Sequence, residues 1–231
     1  MSRPSLDELV DPIHTALVLQ EVQNGVVGKK SALPEMSRVA ASTNLVENCG
    51  LLAAAARHAG VQVIHATAER RSDGKGANTN ARIFEGFAKQ AVVPLPGSEE
   101  AQPVREVGLD DADLVLPRLH GIGPMTGTHL DAILRNLGIK TVVCAGVSLN
   151  LAITSLAFDA VNLGYQVVVV SDAVVGLPIE YGVTVIENCL SLIATIMTTS
   201  VIVGLWRPQV SGPPHGLDQR RAGATTEEGE P

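Results

Sequence analysis

The side chains able to do chemistry in this chain are few, and they stand where apolar runs end. Glu21 closes the run HTALVLQ (14–20), with Gln20 before it and Gln23 two residues on. A carboxylate at the end of a buried strand is costly unless paired, so Glu21 is either an acid that lines a pocket or one half of a structural pair. Gln23 orients Glu21 or a ligand, or else it satisfies backbone groups of the following loop. Arg118 and His120 come just after the short run LVLP (114–117). The planar fork of Arg118 suits an anionic ligand, the alternative being a surface ion pair. His120, beside GIGPMTG, is a pocket acid or base, or a solvated loop residue. Ser148 ends the run KTVVCAGV (140–147).

Thiols and metal ligands are less promising. Cys49, Cys144 and Cys189 lie inside apolar patterns without CxxC spacing, which suggests neither a disulfide framework nor a zinc site. They read as small buried hydrophobes in a reducing compartment. His65 is alone until His120, and a lone histidine is more often a packing residue than a ligand, so neither metal nor cofactor is expected.

Strands and helices that alternate along the chain must position these groups. Strands are predicted over 14–22, 61–67, 114–117, 140–147, 166–170 and, last, 200–205. Helices are predicted over 37–58, 128–137, 149–163 and 181–197, so that 190–206 reads as a buried helix running into a buried strand. The segment ERRSDGKGANTN (69–80) has no periodicity and reads as a functional loop, with Asn78, Asn80 and Arg82 lining a pocket mouth or only making turns. A βα series of this kind implies an α/β fold, a three-layer αβα sandwich around a mostly parallel, doubly wound sheet. Its ligands bind at the C-terminal ends of the strands.

Composition supports the class. Of 231 residues, 45% are hydrophobic but only 3% aromatic, so the core is built from Val, Leu, Ile and Ala, as in a parallel sheet covered on both faces. The expected organisation is a short N-terminal extension (1–10), one domain (11–206), and a disordered tail (207–231) rich in Pro, Gly and charge. A net charge of -7 without a basic cluster argues against nucleic-acid and anionic-membrane partners. No signal peptide is read in 1–10 and no apolar run reaches membrane-spanning length, so a cytoplasmic protein is expected.

Three segments carry a resemblance. ALVLQEVQNG (16–25) resembles the pattern ALLVIDMQN, and LVLPRLHGIGPMTGTHLDAILRNLGIKTVVCAGVS (114–148) resembles a run from a lysine-bearing strand into TVVVAGV. LNLAITSLAFDAVNLGYQVVVVSDAV (149–174) is similar to a nucleophile helix followed by a strand ending in DA. In this order they resemble the isochorismatase-like (cysteine hydrolase) superfamily from Thr15 to Trp206. In its amidohydrolases an Asp takes the thiol proton, a Lys supports it, and a Cys thiolate attacks the carbonyl.

The resemblance places Glu21 at the acid position, Leu116 where the lysine belongs, and Ala152 where the nucleophile belongs. An alanine methyl forms no covalent intermediate. Ser148 corresponds to an oxyanion residue acting through its backbone N–H, and Thr154 and Ser155 point about 200 and 300 degrees around the helix from position 152. The resemblance thus implies a hydrolase-fold protein without cysteine-hydrolase activity, either a pseudoenzyme binding a small molecule or an enzyme with altered chemistry. One branch hydrolyses a vinyl ether with the acid as proton donor and has a small residue at the nucleophile position, so Glu21 as general acid is the alternative. A homodimer or higher homo-oligomer is also implied, and a scaffold role is the third reading.

Overall fold

A computed structural model describes residues 4–207. The tail expected over 207–231 lies, apart from Arg207, outside the described residues. Six parallel strands form one sheet: β1 (Thr15–Gln20), β2 (Gln62–Ala68), β3 (Leu114–Arg118), β4 (Thr141–Val147), β5 (Gln166–Val175) and β6 (Thr195–Met197). Their spatial order is β3-β2-β1-β4-β5-β6, which makes β1 and β4 the central pair. Every residue of β1 is buried, because its alternating side chains enter two different cores. Leu17 and Leu19 face one, Val18 and Ala16 the other.

The described residues form the helices α1 (Leu6–Leu9), α2 (Pro34–Ser42), α3 (Leu45–Ala59), α4 (Arg82–Ala88), α5 (Leu130–Asn136), α6 (Thr154–Asn162), α7 (Ile179–Asn188) and α8 (Thr199–Leu205). The first core takes its apolar faces from α2, α3 and α8, the second from α5, α6 and α7. The result is the three-layer αβα sandwich expected of the sequence.

Several boundaries differ from the sequence-based ones. The helix expected over 37–58 is two helices, broken where Asn44 adopts φ +55°, a left-handed conformation that Asn tolerates better than most residues. The helix expected over 149–163 opens with a wide turn, Leu149–Ile153, before α6. The order expected near the end is reversed: the strand is Thr195–Met197 and the helix is Thr199–Leu205. The β-branched run SVIV suggests a strand, but Asp172 of β5 accepts from Thr199 N–H at 2.7 Å and from its hydroxyl at 2.9 Å, capping a helix there. The described part of the N-terminal extension packs on the domain at its end. Leu9 and Val10 are buried in the first core, and the Trp206 indole N–H donates to the Val10 carbonyl at 3.0 Å.

Candidate functional site

Glu21 leaves β1 in a left-handed conformation, φ +51°, just after its N–H has donated to the Ala66 carbonyl at 2.9 Å. For a non-glycine residue this costs of order 1–3 kcal/mol and persists only where the surroundings hold it. Strain of this kind gathers at functional sites. Arg118, the last residue of β3, meets the carboxylate. Its Nη2 donates to Glu21 Oε1 and, at 2.8 Å, to the Ile122 carbonyl. The side chains are 6% and 17% exposed for Arg118 and Glu21, so the surface ion pair expected for Arg118 is instead a largely buried one. Among the described residues the rest of the guanidinium meets no partner. Nε and Nη1 are buried without a partner, which leaves three of its five N–H donors unused. Each such donor costs about 1–3 kcal/mol if nothing satisfies it.

A cleft of about 280 Å³ opens beside this pair. Leu33, Phe84, Phe87, Val93 and Pro94 give it apolar walls, and Glu69, Arg70, Asn78 and His120 give it polar ones. Glu69 directly follows β2, and its N–H donates to the Arg118 carbonyl at 2.9 Å. Burial pushes its carboxyl above the usual value. Arg70 Nη1 donates to the Phe87 carbonyl at 2.8 Å, tying the loop to α4. Asn78 Oδ1 accepts from Gly121 N–H at 2.8 Å, and His120 Nε2 lies 3.1 Å from the Gly127 carbonyl oxygen. Asn80 and Arg82 do not line the cleft.

Other expected site residues lie elsewhere. Gln23 is fully buried and spends its amide on backbone: Nε2 donates to the carbonyls of Ala68 at 2.9 Å and Glu100 at 3.3 Å, and Oε1 accepts from Ala68 N–H at 2.7 Å. It braces the strand ends beneath the cleft and does not line it, the backbone role that the sequence offered for it. Leu116 packs against the second core, in register with Ala66 and, through it, with Gln20. Gln20 is fully buried, and neither polar atom of its side chain has a partner. Ala152 is 3% exposed within the turn after β4. Neither Leu116, Ala152 nor Ser148 lines the cleft, so Glu21 does not share it with the other two family positions.

Ser148, Thr154, Ser155 and Cys144 do not line the cleft. The Ser148 carbonyl accepts from Leu151 and Ile153 at 3.2 and 3.0 Å, and its side chain lies outside the cleft. The Thr154 hydroxyl donates to the Leu149 carbonyl at 2.6 Å, and Ser155 packs against Gly123. Cys144 is buried in β4, where burial pushes its thiol up to about 12, far from thiolate formation. His65 lies on β2 with Nε2 3.0 Å from Asp113 Oδ2 and is not among the lining residues.

Sequence reasoning missed Glu69, Arg70, Phe84 and Phe87. A signal existed for each: Glu69 and Arg70 open the loop marked as functional, and the spacing of the two phenylalanines in RIFEGFA (82–88) is helical.

Comparison with known proteins adds a family context. The model of the family described as "Isochorismatase domain" matches residues 15–201. Ureidoacrylate amidohydrolase RutB of Enterobacter sp. (strain 638) is 26% identical over 174 residues, covering 70% of this chain and 75% of that protein. The isochorismatase family protein YwoC of Bacillus subtilis is 38% identical over 73 residues, a match spanning 32% of this chain and only 38% of YwoC. Among solved structures, an isochorismatase family protein from Desulfovibrio vulgaris superposes with a TM-score of 0.71 at 25% identity, covering 83% of this chain and 97% of that one.

Proposed function

Because this chain belongs to the isochorismatase family, we propose that it is a member of that hydrolase fold which binds a small molecule and lacks the thiolate route to amide hydrolysis. One observation carries the reading: position 152 is an alanine closed off from the cleft, whereas Glu21 and Arg118 pair inside it. An amidase of this kind needs a thiolate within reach of the carbonyl it attacks. Here the cleft offers carboxylates, guanidinium groups, an imidazole and apolar walls, which can hold a ligand but form no acyl-enzyme by that route.

The reading is tested by ammonia release from ureidoacrylate, nicotinamide and an N-carbamoyl amino acid. The first is chosen because a relative carries that activity in its name. No release above the buffer blank is expected. Sustained multiple turnover of any of the three overturns the proposal.

The rival reading makes Glu21 the proton donor in hydrolysis of a vinyl ether or another acid-labile molecule. It fits less well, because Glu21 serves as acceptor to Arg118. Hydrolysis of such a compound by the wild type, abolished in Glu21→Gln, would favour it.

A further inference from the structure

The unused donors of Arg118 point to a ligand class. We infer that the inner end of the cleft reads a carboxylate, and that the ligand is a small monocarboxylic acid with an aromatic or apolar body. This rests on the reading that the cleft binds a small molecule. Arg118 is nine-tenths buried and lines the cleft, and its Nη2 is already spent on Glu21 and the Ile122 carbonyl. Nε and Nη1 remain without acceptors, and they are the kind of donors that carboxylates satisfy best.

A second guanidinium stands in the same cleft. Arg70 lines it and, among the described residues, has no carboxylate within salt-bridge distance. Three carboxyl groups oppose an anion there. Glu21 is paired with Arg118, Glu85 is exposed, and burial pushes the Glu69 carboxyl up, which favours its neutral form.

The rest of the cleft describes the body of the ligand. Phe84 and Phe87 stand edge to face with ring centroids 6.4 Å apart, and Leu33 and Val93 continue the apolar wall. Aromatic rings of this kind favour an aromatic or aliphatic group beside them. A volume of about 280 Å³ lies at the small end of ligand pockets, roughly 300–1,000 Å³, so the acid is small.

Titration calorimetry of the full chain with benzoate and benzamide tests the inference. These probes share a ring and differ in the charge of the polar group. Saturable benzoate binding, about tenfold or more tighter than benzamide, is expected. Arg118→Lys should weaken benzoate by about tenfold while changing benzamide little, since it keeps the charge and loses the fork. Arg70→Gln should weaken benzoate less, and it supplies the comparison if Arg118→Lys fails to fold. Equal affinities, no saturable benzoate binding, or benzoate affinity unchanged in both variants overturns the inference. Hydrolysis of benzamide would instead sink the reading that amide turnover is absent, leaving the preference for benzoate to be judged separately.

Discussion

Along the C-terminal edge of the sheet, the stretch from β1 to β3 lines an open cleft with polar side chains, whereas the turn after β4 buries Leu149, Ala152 and Ile153, leaves Ser148 and Asn150 half-buried and exposes Leu151. On the first side Glu21, Arg118 and Glu69 stand at strand ends around a cleft. On the second, Leu149, Ala152 and Ile153 are 2%, 3% and 0% exposed. Both halves sit on the same rigid sheet, so the difference lies in the side chains the strands deliver and not in the architecture. The charges of the first half stand as a pair. Arg118, two residues beyond Leu116 and on the same face of β3, places a cation against Glu21. On the other half Ala152 is buried, as a methyl that gains nothing from facing water.

The sharpest break in this comparison would come from removing the cation. Arg118→Met leaves Glu21 largely buried without its partner, and loss of about 3–5 kcal/mol of stability is expected by urea denaturation. An unchanged midpoint would mean that the pair is incidental. Next comes the closed half. Ala152→Cys should cost about 1–3 kcal/mol through overpacking, and its thiol should react slowly with a disulfide reagent in the folded protein. Rapid labelling would show that this half is open after all. Smaller again is Asn78→Ala, which removes the acceptor for Gly121 N–H beside the cleft; about 0.5–1.5 kcal/mol is expected, again by denaturation.

The last prediction concerns a pH window and a site remote from both halves. His65 is held below its ordinary 6.5 by burial, against the pull of Asp113. Between its folded value and 6.5 the unfolded chain therefore binds more protons than the folded one. This contribution to stability is fully present above pH 6.5 and is lost as pH falls through the folded value. His65→Gln should flatten that slope in thermal melts. The Asp113 carboxyl, which burial pushes up but hydrogen bonds from Arg57 and His65 hold below 3.8, should still lose its contribution at more acidic pH. A slope unchanged in the variant would assign it to another group.

The fold was legible because buried parallel strands write themselves as unbroken apolar runs, such as VVCAGV and VVVV, and the helices between them keep their period. Glu21, Arg118 and His120 were legible as candidates because polar residues at strand ends stand out from those runs. The Glu21–Arg118 pair was not. It depends on β2 lying between β1 and β3 and on the left-handed turn at Glu21, neither of which a local pattern encodes. The same holds for α8, whose capping acceptor is 27 residues away in β5. The backbone role of Gln23 was legible only as one of two alternatives, because its partners, Ala68 and Glu100, are distant in sequence.

The account stands or falls on whether the closed half is truly out of reach of substrate. The most direct measurement is ammonia release from ureidoacrylate by the wild type beside the double variant Leu116→Lys, Ala152→Cys. The account predicts no turnover by either, because position 152 is walled off from the cleft in which Glu21 and Arg118 meet. Turnover by the wild type, or activity gained in the double variant, would contradict it.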